Sequence, residues 1–339
     1  MQQLVFLTGS TGLIGGHLLV SLYKRDYKVR ALIRKSSSFS QLQLICDFHG
    51  VSFEKLHHTV EWVEGDTLDF VGLHELLNGV DKVFHCAAMV SFNQKNKDEI
   101  LRINVQGTSN MVDASIDCGV KKFCFISSIA ALGSEKNNGF IDEFSFRDPY
   151  KITSSYSESK YLSELEVWRG STEGLDVVIL NPGVVLGPGN PDKGSLLFFK
   201  IAKKGMPFYT EATTGFVDVR DIARAAIELM TRGIFGKRFV LVSENIDNKR
   251  LFTLISNGFG KRGPVFLAGK TILYLGVFIS RILGIITGNT PQLTFDTVRS
   301  AQHPQRFSSK QIKEVLNFEF IPIEQTVNDT IGFIKKYNL

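Results

Sequence analysis

Residues Leu4 to Leu19 read LVFLTGSTGLIGGHLL. The first four form an apolar run too short for a helix and stopped by glycine, which predicts a strand buried on both faces. Gly9, Gly12 and Gly15 follow, and Leu13, Ile14, His17, Leu18 and Leu22 then recur at helical spacing. A strand, a glycine turn and a helix in that order build a phosphate cradle. The helix start offers unpaired N–H groups and the positive end of its dipole, and glycines let a pyrophosphate come close. The spacing is G-x-x-G-x-x-G rather than G-x-G-x-x-G, so these residues alone would also suit a turn without a ligand. The strand before and the helix after favour the cradle.

Outward from the turn the pattern alternates. Tyr27 to Ile33 (YKVRALI) predicts a second strand, followed by Arg34 and Lys35. An acid at this distance from the glycines would hold the adenosine ribose 2′-hydroxyl of NAD. Two cations and Ser36 suit a 2′-phosphate instead, which favours NADP(H) over NAD(H); the plain alternative is a solvated basic loop end. Residues 36–60 are polar and predict a loop and a surface helix. His49, His57 and His58 have no cysteine or acid to complete a liganding set, so they are expected at the surface and no metal site is expected. Glu61 to Gly65 predicts a third strand ending at Asp66, a candidate adenine contact, with Asp69 starting the next helix. Asp81 to Ala88 (DKVFHCAA) predicts a fourth strand whose exit, at Ala87 and Ala88, is small enough for a cofactor to pack against. A helix is predicted over 97–117, carrying Asn104 and Gly107, and Lys122 to Ser128 (KFCFISS) predicts a fifth strand ending in paired serines. Such alternation means an α/β, Rossmann-type doubly wound parallel sheet with its ligand across the carboxyl ends of the strands. The glycine turn, Arg34, Asp66, Ala87 and Ser128 all fall at those ends.

The 339 residues are 43% hydrophobic and 22% charged, an ordinary composition for one large or two smaller globular domains. The net charge of +5 is spread along the chain without a basic run, so no nucleic-acid partner is implied. Cys46, Cys86, Cys118 and Cys124 form no C-x-x-C pair and suit a reducing, cytoplasmic compartment. The apolar N-terminus lacks a basic region and breaks at Gly9, so no secretory signal is expected.

Chemistry enters with SSYSESKYLSE. Tyr156 and Lys160 stand four apart, on one face of a helix. A lysine cation there favours the tyrosinate and lowers the phenol pKa, so that Tyr156 can exchange a proton with a carbonyl or alcohol oxygen. Alone, Y-x-x-x-K more often marks a surface pair; its place after the strand ending at Ser128 gives it weight.

Together these segments resemble the extended short-chain dehydrogenase/reductase superfamily, also called the NAD-dependent epimerase/dehydratase family. Within it the chain is similar to dihydroflavonol-4-reductase-like and 3β-hydroxysteroid-dehydrogenase-like members. TGSTGLIG, HCAA, INVQGTSN, FISSIAALG, YSESK, NPGVVLGPG and FVDVRDIARAA occur in the family's order over nearly the whole chain. The resemblance implies Tyr156 as general acid in reduction and base in oxidation. It implies Lys160 on the nicotinamide ribose, Ser128 (rather than Ser127) on the substrate oxygen, and Asn104 supporting the lysine side. It further implies cofactor contacts from Thr8, Gly9, Thr11, Gly12, Leu13, Ile14 and Gly15, from Arg34, Lys35, Asp66 and Thr67, and from Ala87, Ala88, Lys160, Pro182 and Val184. Asn181 stands where the family usually has arginine, and the frequent acid after the second strand is absent.

The nucleotide domain is expected over 1–182 plus about 216–245. A smaller, mostly C-terminal α/β substrate domain is expected over 183–215 plus 246–339. Leu267 to Ile286 is strongly apolar, but Lys270 and Arg281 leave only a short uncharged run, well under the ~20 residues needed to span a bilayer. An amphipathic helix lining a lipophilic pocket, a peripheral membrane contact or a core helix are the open alternatives. With Phe92, Phe198, Phe199 and Phe208 it favours a bulky apolar substrate, a ketone or aldehyde to be reduced or the alcohol to be oxidised. The alternatives are a nucleotide-sugar epimerase or dehydratase with retained NAD, and a non-catalytic NAD(P)-binding regulator. Outer-face helices allow a homodimer, and no residue requires one.

Overall fold

The computed structural model describes residues 3–91, 94–134, 139–145, 147–148, 154–269 and 304–339. Seven parallel strands form the main sheet: β1 Leu4–Thr8, β2 Lys28–Ile33, β3 Glu61–Glu64, β4 Lys82–His85, β5 Lys122–Ile126, β6 Asp176–Pro182 and β10 Lys237–Leu241. Their order is β10-β6-β5-β4-β1-β2-β3, so the winding reverses between β1 and β4 and opens a crevice at their carboxyl ends.

Every residue of β1 is buried, as expected of a strand covered on both faces. The two-residue period sorts its side chains. Val5 and Leu7 enter one core with Leu18 and Leu22 of helix Leu13–Tyr23 and with Ile222 and Ala226 of helix Val219–Arg232. Leu4 and Phe6 enter the other with Met111 of helix Gly107–Asp117 and Val167 of helix Ser155–Thr172.

The remaining strands are β7 Val184–Leu186, β8 Phe208–Tyr209, β9 Thr213–Asp218, β11 Glu244–Asp247 and β12 Phe266–Leu267. β9 lies between β7, parallel, and β11, antiparallel; β8 pairs with β12. A third core joins Leu186, Phe199, Phe216 and Ile246 to helices Asn248–Gly258 and Ile323–Lys336. Two segments divide differently from the sequence boundaries. Phe216 sits in this smaller sheet, and the chain returns to the main sheet only with the helix after it. Residues 310–318, expected within the smaller domain, go back to β10. Ile312 and Leu316, one turn apart, give helix Lys310–Leu316 an apolar edge that covers the outer strand.

Phe199, expected toward a substrate pocket, is a fully buried core side chain, whereas Phe208 is exposed. Phe92 and Lys270 to Ile286 lie outside the described residues. Among the described residues no helix is long and apolar enough to cross a membrane.

One buried carboxylate ties the two parts together. Asp218 caps helix Val219–Arg232 by accepting from Arg220 N (2.8 Å), accepts from the Arg220 guanidinium (2.6 Å) and accepts from Thr326 Oγ1 (2.8 Å) on the last helix. Arg220 continues the bridge to Asp329 at 2.8 Å. Asp218→Ala leaves a guanidinium and a hydroxyl short of their partner and is expected to cost about 3 kcal/mol in urea unfolding. Thr326→Val, which removes one hydrogen bond, is expected to cost about 1 kcal/mol.

Candidate active site

The glycine turn closes on itself. Gly12 N donates to Gly9 O at 2.9 Å. Gly9 has φ +71°, and a Cβ there would lie 2.8 Å from Ala87 N. A Cβ on Gly15 would lie 2.6 Å from the Gly9 carbonyl carbon, so only glycine lets the helix start this close to the strand end. Gly12 caps that helix without a side chain, and its first turn holds no acid. Ser10 Oγ, buried within the turn, has no hydrogen-bond partner among the described residues. Uncapped N–H groups beside a spare buried hydroxyl fit an anion such as a pyrophosphate. Thr11 is half-buried at the turn. Leu13 packs toward the smaller domain's core and Ile14 toward the first, so both support the turn from below.

Thr8 and Thr67 sit a layer beneath the surface. Thr8 Oγ1 accepts from Cys86 N (3.1 Å) and Ala87 N (3.0 Å), which uses both lone pairs. Its own proton must therefore point at His85 Nδ1, 2.8 Å away. That leaves His85 protonated at Nε2, donating to Thr108 Oγ1 at 3.2 Å, and Thr108 donates in turn to Asn104 O at 2.6 Å. The tautomer follows from counting donors. Buried Thr67 packs against Gly107 and accepts from Asn110 Nδ2 at 2.9 Å through its backbone oxygen.

Asn104 lies in a π turn, Arg102–Gln106, where the sequence predicts an unbroken helix. π turns often mark functional sites. Here the Asn104 carbonyl receives the hydroxyls of both Thr108 and Ser163, the latter at 2.9 Å. Its side chain accepts from Met89 N (2.7 Å) and donates to Met89 O (3.0 Å) and Ser159 Oγ (2.9 Å). Asn104 therefore clamps the exit of β4, next to half-buried Ala87 and exposed Ala88, to the helix of Tyr156 and Lys160.

The paired serines turn opposite ways. Ser127 is buried and donates to Glu164 Oε1 at 2.5 Å. Ser128 is half-buried, accepts from Ala130 N at 3.1 Å, and hydrogen-bonds the Tyr156 phenol. Lys160 Nζ is buried beneath, donating to Ile126 O at 2.8 Å and standing 4.8 Å from the centre of the Phe125 ring. Burial pushes its pKa down to about 8, against the opposing pull of Cys86 and Glu164. The phenol departs from the expectation that Lys160 lowers it: burial raises the Tyr156 pKa, and the Ser128 hydrogen bond opposes this without reversing it.

Beyond β2, Arg34, Lys35 and Ser36 are exposed and line a cleft of about 670 Å³ with Glu64, Gly65, Asp66 and Asp69. Asp69 caps its helix through Gly72 N at 3.0 Å, and Asp66 accepts from Leu68 N at 3.0 Å. Pro182 is buried at the end of β6, and Val184 is half-buried on β7, packed against the third core.

Thr108, Ser159, Ser163 and Glu164 escaped the sequence search. Their signal was spacing: Thr108 is four residues after Asn104, and Glu164 four after Lys160. His49, expected at the surface, is half-buried because His17 Nδ1 lies 2.9 Å from its Nε2, while His17 Nε2 meets Pro188 O at 2.8 Å. His57 is half-buried, stacked on Trp62.

Residues 5–241 match the model of the NAD dependent epimerase/dehydratase family. The chain belongs to this family. It is an NAD(P)-dependent oxidoreductase by that membership, and its glycine turn fits the family's cofactor. A dihydroflavonol 4-reductase-like protein of Synechocystis sp. is 29% identical over 345 residues, covering 99% of this chain and 96% of that one. Cinnamoyl-CoA reductase 1 of Petunia hybrida is 26% identical, covering 98% and 92%. The crystal structure of gox2253 superposes with TM-score 0.81 at 28% identity, over 99% and 98% of the two chains. The UDP-glucose 4-epimerase of Thermotoga maritima, at TM-score 0.75 and 20% identity over 99% and 100%, shares the fold.

Three imidazoles are held neutral by burial, His17 down to about 4 and His49 and His85 down to about 3, against 6.5 ordinarily. Between pH 6.5 and these values the unfolded chain binds more protons, so the folded state loses stability as pH falls. Urea midpoints are expected to drop steeply from about pH 7 to about pH 5. His85→Asn is expected to be less stable at neutral pH and to lose stability less steeply below it.

Proposed function

We propose that this family member is an NADP(H)-dependent reductase of a ketone or aldehyde on a bulky apolar substrate, or oxidises the corresponding alcohol. The observation that carries this is the Tyr156 phenol, hydrogen-bonded to Ser128, on the same helix as the buried ammonium of Lys160. When bound, the nicotinamide supplies or accepts the hydride. Tyr156 gives its phenolic proton to the oxygen that becomes the alcohol, or takes it back in oxidation. Ser128 donates to the same oxygen. Lys160 offsets the charge left on Tyr156 and holds the ribose hydroxyls, with Asn104 fixing the wall beside it.

The glycine turn would hold the pyrophosphate. Arg34, Lys35 and Ser36 would hold a 2′-phosphate, whose charge answers two cations in a cleft that also contains Glu64, Asp66 and Asp69. The reductases among the relatives support the direction.

Tyr156→Phe is expected to lower turnover of lipophilic aldehydes and ketones by about a hundredfold or more, with NADPH affinity in a calorimetric titration nearly unchanged. Loss of both together would remove Tyr156 from the proton transfer. Arg34→Ala is expected to weaken NADPH about tenfold or more and NADH little; an unchanged preference would place the 2′-phosphate elsewhere. Protein purified with non-exchanging NAD⁺ and acting on nucleotide sugars would replace the reductase with an epimerase.

A further inference from the structure

We propose that Glu164, acting through Asn181, is a positioning residue that holds Ser128 against Tyr156 and supplies a countercharge one helical turn from Lys160. The proposal rests on the roles given above to those three residues. Glu164 is 1% exposed. A carboxylate so buried must be paired and hydrogen-bonded. Its partners come from the exit of β5, from β6 and from β10. Oε1 accepts from Ser127 Oγ and from Asn181 Nδ2, each at 2.5 Å. Oε2 accepts from Arg238 Nη1 on β10 at 3.1 Å.

Asn181, at the end of β6, makes the link to chemistry. Its Nδ2 also donates to Ser128 O at 3.0 Å, so one amide joins the Glu164 carboxylate to the backbone of Ser128. Both amide protons are used in this bridge. Asn181 Oδ1 is left buried without a partner among the described residues, an unfavourable arrangement that the bridge imposes. The helix that carries Tyr156 and Lys160 is thereby fastened to the strand exit that carries Ser128.

The charged groups around Glu164 are Lys160 on its own helix, Arg238 on β10, and Arg147 in the segment before the helix. Arg238 also donates from Nε to Glu143 O at 2.7 Å, while Glu143 Oε1 accepts from Val240 N. Arg238 is therefore fixed on both sides and delivers a rigid cation. Replacing Glu164 alone with an apolar side chain would leave Arg238, Ser127 and Asn181 without their acceptor, so the set is kept or lost together. The arrangement matters for where it puts Ser128.

The test is an ultraviolet titration of tyrosinate. Each protein is measured against its own Tyr156→Phe counterpart, so that the other tyrosines cancel and no substrate is needed. Asn181→Ala keeps the Glu164–Arg238 pair and removes the tie from Glu164 to the Ser128 carbonyl, which keeps only Ala131 N at 3.0 Å. The Tyr156 ionisation is expected to move up by about half a pH unit or more as the Ser128 hydrogen bond weakens. Glu164→Gln is expected to move it in the same direction, as the bridge through Asn181 to Ser128 loosens. An unmoved Tyr156 in folded Asn181→Ala would overturn the proposal, whether or not Glu164→Gln folds. A shift in a protein inactive on every carbonyl would leave the positioning role standing and sink the reductase; activity with no shift would do the reverse.

Discussion

A single missing carbon governs the molecule. Gly15 packs against the Gly9 carbonyl so closely that any Cβ would overlap it. This contact sets where the first helix begins relative to β1, and much else is fastened to that junction. Thr8, the last residue of β1, reaches across to the exit of β4. His17, on the first turns of the helix, reaches across to Pro188 beyond β7. Leu13 meets the core of the smaller domain. The turn that would cradle an anion is thus also where the main sheet and the substrate side take their relative position.

The site around it is dry and polar at once. His85 is neutral, kept so by burial and by neighbours that already dictate its hydrogen bonds. Lys160 is a cation whose solvation has been replaced by a backbone carbonyl and an aromatic face. Glu164 is an anion whose partners were gathered from β10 and from the exits of β5 and β6. None of these groups would be tolerated alone at such depth. Their mutual satisfaction gives Tyr156, at the rim, a fixed floor.

The elements with the strongest periodicity were legible. β1, the glycine turn and its helix, and β2 through β5 fall within a few residues of their predicted places, because buried parallel strands are continuous apolar runs stopped by small residues. Tyr156 and Lys160 were legible because a four-residue spacing on a helix means one face. What could not be read depended on distant residues. No local signal told that the helix over 97–117 widens into a π turn at Asn104, since the hydroxyl drawn to that carbonyl from Ser163 lies far along the chain. The rise in the Tyr156 pKa was hidden for a similar reason. Spacing reveals a neighbouring lysine, whereas burial depends on everything packed around the ring. His49 passed for a surface residue because its partner, His17, sits on another helix.

The row Thr8, His85, Thr108, Asn104 has a property beyond stiffness. At one end it stops on the amide N–H groups of Cys86 and Ala87, and at the other on the carbonyl of Asn104. Backbone amides do not surrender protons at neutral pH, and a peptide carbonyl does not take them up. Every proton in the row points the same way, so reversing one means reversing all. The row is an insulator. Although an imidazole lies within the walls of the site, the row ends on backbone groups at both sides and carries no proton into or out of the crevice.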